Sequence, residues 1–176
     1  MNGPASMPDM SDVRAVAQQR VRDLRQRIPH LDDDSLDLIL REARSHHTWT
    51  DRPVTDDEIK ALYEIVKMGA TSMNGCPARF VFVRTREGKE RLAKAVKPTN
   101  LNKLMGGPVC AIVAYDPEFW RQLPRLFPHE DRRPHFADKP DYAEETAFRN
   151  ATLQGAYLMI AARAMGFDAG AMSGFD

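Results

Sequence analysis

Val109-Cys110-Ala111-Ile112-Val113-Ala114 is an unbroken apolar run, and Phe80-Val81-Phe82-Val83 is a shorter one of the same kind. Neither alternates with polar residues, so each reads as a strand of a sheet covered on both faces. An interior strand needs neighbours on both edges to satisfy its N–H and C=O groups. Two strands cannot provide that alone. Further strands are therefore expected, from more of the chain or from a partner.

Outward from these strands, helical signals alternate with turns. Thr55-Asp56-Asp57-Glu58 has capping-box spacing, in which hydroxyl and carboxylate close a helix N-terminus reciprocally. That helix is expected to run through Ile59, Leu62, Ile65 and Val66 to Met68, with Gly69 ending it. Another is predicted from Asp34 to Arg44, with Leu36, Ile39, Leu40 and Ala43 as its stripe, and a third from Lys89 to Val96. The longest runs from Ala143 to Met165. Its second half, AYLMIAARAM, is apolar nearly all round and calls for burial on several sides. Residues 116–142 are rich in proline and charge and read as a long, partly helical excursion, the kind of segment that forms lids and binding loops.

The N-terminal region reads differently. Residues 1–10, rich in Met, Pro and Gly, are expected to be loose. Residues 11–28 read as a helix capped by Ser11 or Asp12, with Val13, Val16, Val21, Leu24 and Ile28 near helical spacing. Arginines stand at 14, 20, 22, 25 and 27, and Pro29 ends the helix. We read it as a solvated amphipathic helix docked on the body rather than a nucleic-acid arm. The totals support that choice: 25 basic and 25 acidic residues give a formal net charge of zero, with no general attraction for nucleic acid or anionic lipid. The 43% hydrophobic content is enough for a core. Without a signal-peptide core or an apolar run long enough to span a bilayer, a cytoplasmic protein with no membrane partner is expected.

Several chemistries are set aside by spacing. The two cysteines, Cys76 and Cys110, form no CxxC pair, and neither has a neighbouring His. His46, His47, His129 and His135 lack the i, i+4 zinc pattern, so no metal is expected. Gly88-Lys89 and Gly106-Gly107 extend to neither a Walker A nor a GxGxxG motif. Four polar segments between apolar elements remain: Arg44-Ser45-His46-His47, Thr71-Ser72-Met73-Asn74, Asn100-Leu101-Asn102-Lys103 and Met172-Ser173-Gly174. Each alone is a loop. Together they offer cation, hydroxyl, amide and glycine backbone, the inventory a flavin mononucleotide needs.

In their order these segments resemble the nitroreductase family, over roughly residues 36–176. Ala43-Arg44-Ser45 followed by Trp49 is similar to the family's phosphate segment, and Ala70-Thr71-Ser72-Met73-Asn74-Gly75-Cys76-Pro77-Ala78 to its loop before a strand. Asn100 and Lys103 match its Asn-x-x-Lys flavin contacts, and Ser173-Gly174-Phe175-Asp176 its Gly-Phe-Asp segment. Ala78, the run Leu123–His129 and the run Glu144–Asn150 resemble the malonic semialdehyde reductase branch.

The resemblance implies an α+β flavoprotein sandwich, a mostly antiparallel sheet flanked by helices, in a domain-swapped homodimer with the 143–165 helix as spine. Residues 1–35 would be an extension, and 36–176 an FMN-binding domain incomplete at its C-terminus. It implies FMN as cofactor and NADH or NADPH as hydride donor, with the flavin rather than a side chain carrying the chemistry. FMN would be held by Arg44, Ser45, His47, Asn100, Lys103, Ser173 and Gly174, with Thr71, Ser72 and Asn74 offered across the dimer. Arg125, His129, Arg132 and Arg133 are candidates for the carboxylate of a small aldehyde acid. Other expectations are a broad nitroaromatic or quinone reductase, and a non-catalytic binding protein with a degenerate flavin site.

Overall fold

The computed structural model describes residues 10–176, so the loose segment expected at the start falls, apart from Met10, outside the described residues. Helix α1, Met10–Arg27, takes in Ser11 and Asp12 instead of being capped by them. It is not docked on the body. Every residue from 11 to 34 is exposed, including Val13, Val16, Val21, Leu24 and Ile28 of the apolar stripe. Periodicity reports that a helix has an apolar side but not what covers it.

Asp32 caps α2, Asp33–Leu36, by accepting from Ser35 N at 2.9 Å. The helix expected to reach Arg44 then widens into a π turn, Asp37–Arg41, closed by Glu42 N donating to Asp37 O at 3.0 Å. The wider turn rotates Leu40 out of the expected stripe into solvent. Helix α3, Asp56–Val66, has the anticipated box: Glu58 N donates to Thr55 Oγ1 at 3.2 Å, and Thr55 N donates to Glu58 Oε2 at 2.8 Å. Just beyond it Gly69 leaves room for the Tyr157 ring, which a Cβ there would meet at 2.1 Å.

Strand β1, Ala78–Val83, leads to α4, Arg86–Leu92, which Thr85 caps by accepting from Gly88 N at 3.1 Å. That cap starts the helix three residues ahead of the expected Lys89, and it ends well before Val96. Helix α5, Leu101–Gly106, precedes β2, Cys110–Tyr115, and the short α6, Leu123–Leu126, precedes the long α7, Pro140–Ala164. The strands pair antiparallel, with Phe80 opposite Val113 and Phe82 opposite Ala111. Phe80, Phe82 and Ala111 pack onto Leu62 and Val66 of α3 and Leu158 and Ala161 of α7. The other face is less covered, and Val81 is 52% exposed. The expected double cover is therefore absent among the described residues, as are further strands.

A second core lies under the 116–142 excursion: Phe119, Leu123 and Phe136 close on Ala143 and Ala147 of α7, with Met73 packed beside them. Phe119 and Phe136 meet edge to face at 5.1 Å between centroids. Helix α7 thus walls both cores. It still leaves Phe148, Leu153 and Ile160 exposed, so its apolar circumference is only partly buried. No helix among the described residues is long and apolar enough to cross a membrane.

Candidate functional site

Residues 167–176 lie between the 44–49 segment and the α4–α5 region. Backbone bonds fix them: His46 N donates to Ala169 O at 3.2 Å, Lys97 N to Gly174 O at 2.8 Å and Asp176 N to Ala95 O at 2.9 Å. Ser45 bridges Ala169, and Val96 bridges Phe175. On this track two glycines are spatially required. A Cβ at Gly170 would sit 2.3 Å from His46 O, and one at Gly174 would sit 3.0 Å from Lys97 Cδ and 3.1 Å from Asn100 Nδ2.

Helix α5 brings its polar residues to the same place. Lys103 is only 6% exposed, and its Nζ donates to Ala171 O at 3.2 Å. Asn100 Nδ2 donates to Gly174 O at 3.5 Å, and Trp49 Nε1 donates to Lys103 O at 2.9 Å, fixing the 44–49 segment to α5. An ammonium has three donors, so Lys103 retains capacity to bind an anion from within a low-dielectric setting. Three of the four polar segments therefore converge on α5 and the 169–174 track.

The fourth goes elsewhere. Thr71, Ser72 and Asn74 form a tight turn with Met73, Asn74 and Cys76 at φ 53°, 51° and 42°, the left-handed region that L side chains rarely adopt. The turn is fastened to α7 and α6. Ser72 N donates to Asn150 Oδ1 at 2.7 Å, Asn150 Nδ2 donates to Thr146 O at 2.8 Å, and Asn74 Nδ2 donates to Leu126 O at 3.0 Å. Thr71 Oγ1 accepts from Cys76 N at 3.2 Å and closes the turn, while Gln154 Oε1 accepts from Ala78 N at 2.9 Å at its exit. Thr146, Asn150 and Gln154 are all buried. The sequence reading assigned these three no role, although polar residues four apart, sharing a helix face with Ala143, Ala147, Ala151 and Leu158, mark one buried polar line.

Arg44 is exposed and folded back on its own segment, donating to Arg41 O at 3.1 Å and Ala43 O at 3.0 Å and pairing with Glu42 at 3.2 Å. Ser45 and His47 are exposed. His46, not His47, reaches the terminal track, with Nε2 3.2 Å from Asp168 Oδ1. Beside them opens a cleft of about 420 Å³ whose lining includes Asp37, Leu38, Arg44, Arg163 and Asp168.

In the excursion Arg132 pairs with Glu130 at 2.6 Å and Arg133 with Asp131 at 2.7 Å. The hydrogen bonds from Arg133 hold the Asp131 carboxyl down at about 2. The His129 ring meets Phe127 edge on. Arg125 is exposed and, among the described residues, has no acidic partner.

Residues 40–176 match the model of the family described as "Nitroreductase family". A protein of Rhodopseudomonas palustris (strain TIE-1), named "Putative NADH dehydrogenase/NAD(P)H nitroreductase", is 55% identical over 146 residues, covering 83% of this chain and 74% of that one. Among solved structures, a "putative nitroreductase in complex with FMN" from Exiguobacterium sibiricum 255-15 superposes with a TM-score of 0.71 at 21% identity, over 84% of this chain and 78% of that one. A "putative NAD(P)H:FMN oxidoreductase" from Staphylococcus epidermidis ATCC 12228 gives 0.73 at 17% identity, over 84% and 76%. At such identities the structural likenesses show a shared α+β fold.

Proposed function

The chain belongs to the nitroreductase family, and on that premise we propose an FMN-dependent oxidoreductase that takes electrons from NADH or NADPH and passes them to a small acceptor. The observation that carries this reading is the convergence of Lys103, Asn100 and the 169–174 track. The donor set fits FMN. A buried ammonium suits the pyrimidine edge of a flavin, where reduction builds negative charge, and the Asn100 amide suits the same edge. The missing side chain at Gly174 lets the track lie close on Lys97 and Asn100, which sets the Ser173–Gly174 backbone beside the amide that would meet the ring.

In this reading Arg44 and Ser45 hold the phosphate, and His47 lies near as a further basic contact. Arg44 must exchange Glu42 for the phosphate to do so. The exchange is favourable, because a guanidinium binds a dianionic phosphate through paired charge-assisted bonds. Thr71, Ser72 and Asn74 serve the site of a second protomer in a homodimer, consistent with their separation from Lys103. Bound FMN supplies the hydride chemistry, in ping-pong order between nicotinamide and acceptor. Lys103, buried with its Nζ on Ala171 O, would set its ammonium against the charge that reduction builds, and the Trp49 Nε1 bond to Lys103 O positions it there.

The purified full-length protein should be yellow, with stoichiometric FMN. Lys103→Gln should lower NAD(P)H-dependent turnover by roughly 100-fold with the far-UV CD unchanged. A colourless protein that FMN cannot reconstitute would overturn the reading in favour of a non-catalytic binding protein, and a Lys103→Gln variant with full turnover would overturn the role given to Lys103.

For the acceptor we propose malonic semialdehyde, reduced to 3-hydroxypropionate. Of the four candidate excursion residues, Arg125 is the guanidinium that, among the described residues, has no carboxylate partner, whereas Arg132 and Arg133 are paired. Arg125→Ala should then raise KM for the aldehyde acid and leave KM for an uncharged quinone unchanged. The name of the Rhodopseudomonas relative favours the second reading, a broad nitroaromatic or quinone reductase. Comparing kcat/KM for the three acceptors separates the two.

A further inference from the structure

Asn150 stands where packing alone favours an apolar residue. It lies in the middle of α7, is 6% exposed, and shares its face with the buried Ala143 and Ala147. Asparagine is a weak helix former, and a buried carboxamide is costly unless both its ends are bonded. Both are. Nδ2 donates to Thr146 O and Oδ1 accepts from Ser72 N. A carbonyl oxygen only accepts and a backbone N–H only donates, so these two partners fix which way the carboxamide points. The first bond stays inside the helix. The second crosses to the 71–76 turn.

That turn needs an external tie. Met73, Asn74 and Cys76 lie in the left-handed region, and backbone held there keeps its shape only where the surroundings impose it. Two of its polar side chains are engaged within the chain. Thr71 Oγ1 accepts from Cys76 N, while Asn74 donates to Leu126 O and accepts from Cys76 Sγ at 3.5 Å. Ser72 differs. It is exposed, and among the described residues its hydroxyl has no hydrogen bond, so it is the group the turn holds outward.

We propose that Asn150 is a positioning residue: through Ser72 N it sets the Ser72 hydroxyl for the flavin, while Thr71 and Asn74 serve by folding the turn. This rests on the reading above that the turn serves an FMN site.

FMN binding to the full-length protein freed of cofactor is read from quenching of flavin fluorescence, with CD and Tm measured beside it. Asn150→Ala leaves the Ser72 amide without its acceptor and should raise the FMN Kd roughly tenfold. On a Ser72→Ala background the same change should add nothing further, because both act through one hydroxyl. Leu62→Ala, which opens the other cluster, should lower Tm at least as far and leave FMN binding as in the parent. Asn150→Asp is the conservative rescue. Its carboxyl can accept from Ser72 N in either state, but only the protonated acid can also donate to Thr146 O, and burial favours that neutral form. The ratio of variant to parent Kd should therefore approach one in mild acid and climb toward the alanine value as pH rises, while CD shows the chain folded. Unchanged FMN binding in Asn150→Ala overturns the proposal, as does full additivity with Ser72→Ala or an Asn150→Asp ratio flat with pH. Equal weakening by Leu62→Ala also overturns it, since the loss would then report stability alone. A parent protein that binds no FMN overturns the underlying reading as well, so the two failures are told apart.

Discussion

Gly170 carries a steric demand that the sequence gives no reason to suspect, because the atom that makes it necessary, His46 O, lies more than a hundred residues away in the chain. Gly170→Ala should push the 169–174 track off the 44–49 segment, at a cost of about 1–3 kcal/mol in urea denaturation, with FMN retention falling in parallel. Lys103 was legible, since a family spacing names it. His46 was not, because only the folded track decides which of two adjacent histidines faces Asp168. The Asp131–Arg133 pair gives a clean titration. Its folded value of about 2 lies below the ordinary 3.8, so the pair contributes above that ordinary value and its contribution is lost as pH falls toward 2. Carboxyl NMR should find Asp131 titrating near 2 in the parent protein and moving up toward 3.8 in Arg133→Ala.

Among the elements, α3 was read most nearly correctly, because its capping box is written within four consecutive residues and needs nothing from elsewhere. Thr55→Ala should cost about 1 kcal/mol, measured by thermal unfolding. Glu58, held below its ordinary 4.5 chiefly by the Thr55 backbone N–H, makes that cap sensitive to pH. Its stabilising effect is present above 4.5 and fades as pH falls through the lowered value, so the gap between parent and Glu58→Gln should close in acid. The π turn escaped the sequence reading, since an apolar stripe at Leu36, Ile39 and Leu40 fits an ordinary helix equally well and the register changes by a single residue. The strands were placed to within two residues, but their unbroken apolar runs overstated the cover. Such a run says that both faces avoid water, and leaves open what does the covering.

Taken whole, the molecule is two apolar clusters sharing α7, one under the sheet and one under the excursion. The second was illegible because Phe119 and Phe136 join across a segment without periodicity. Leu123→Ala, at a fully buried position, should cost about 2–5 kcal/mol and add to the effect of a change at Leu62 in the other cluster, the sum being read from denaturant midpoints. Helix α7 also reaches the polar turn through the Asn150 and Gln154 carboxamides. The Ser72 and Ala78 amides end on those buried groups and not on a neighbouring turn or strand. In deuterium oxide both protons should therefore exchange on the slow clock of α7 opening, while other amides of the same turn exchange early. Two positions outside the helix would thus time the loosening of its buried face, and a bound ligand that stiffens the turn would slow both together.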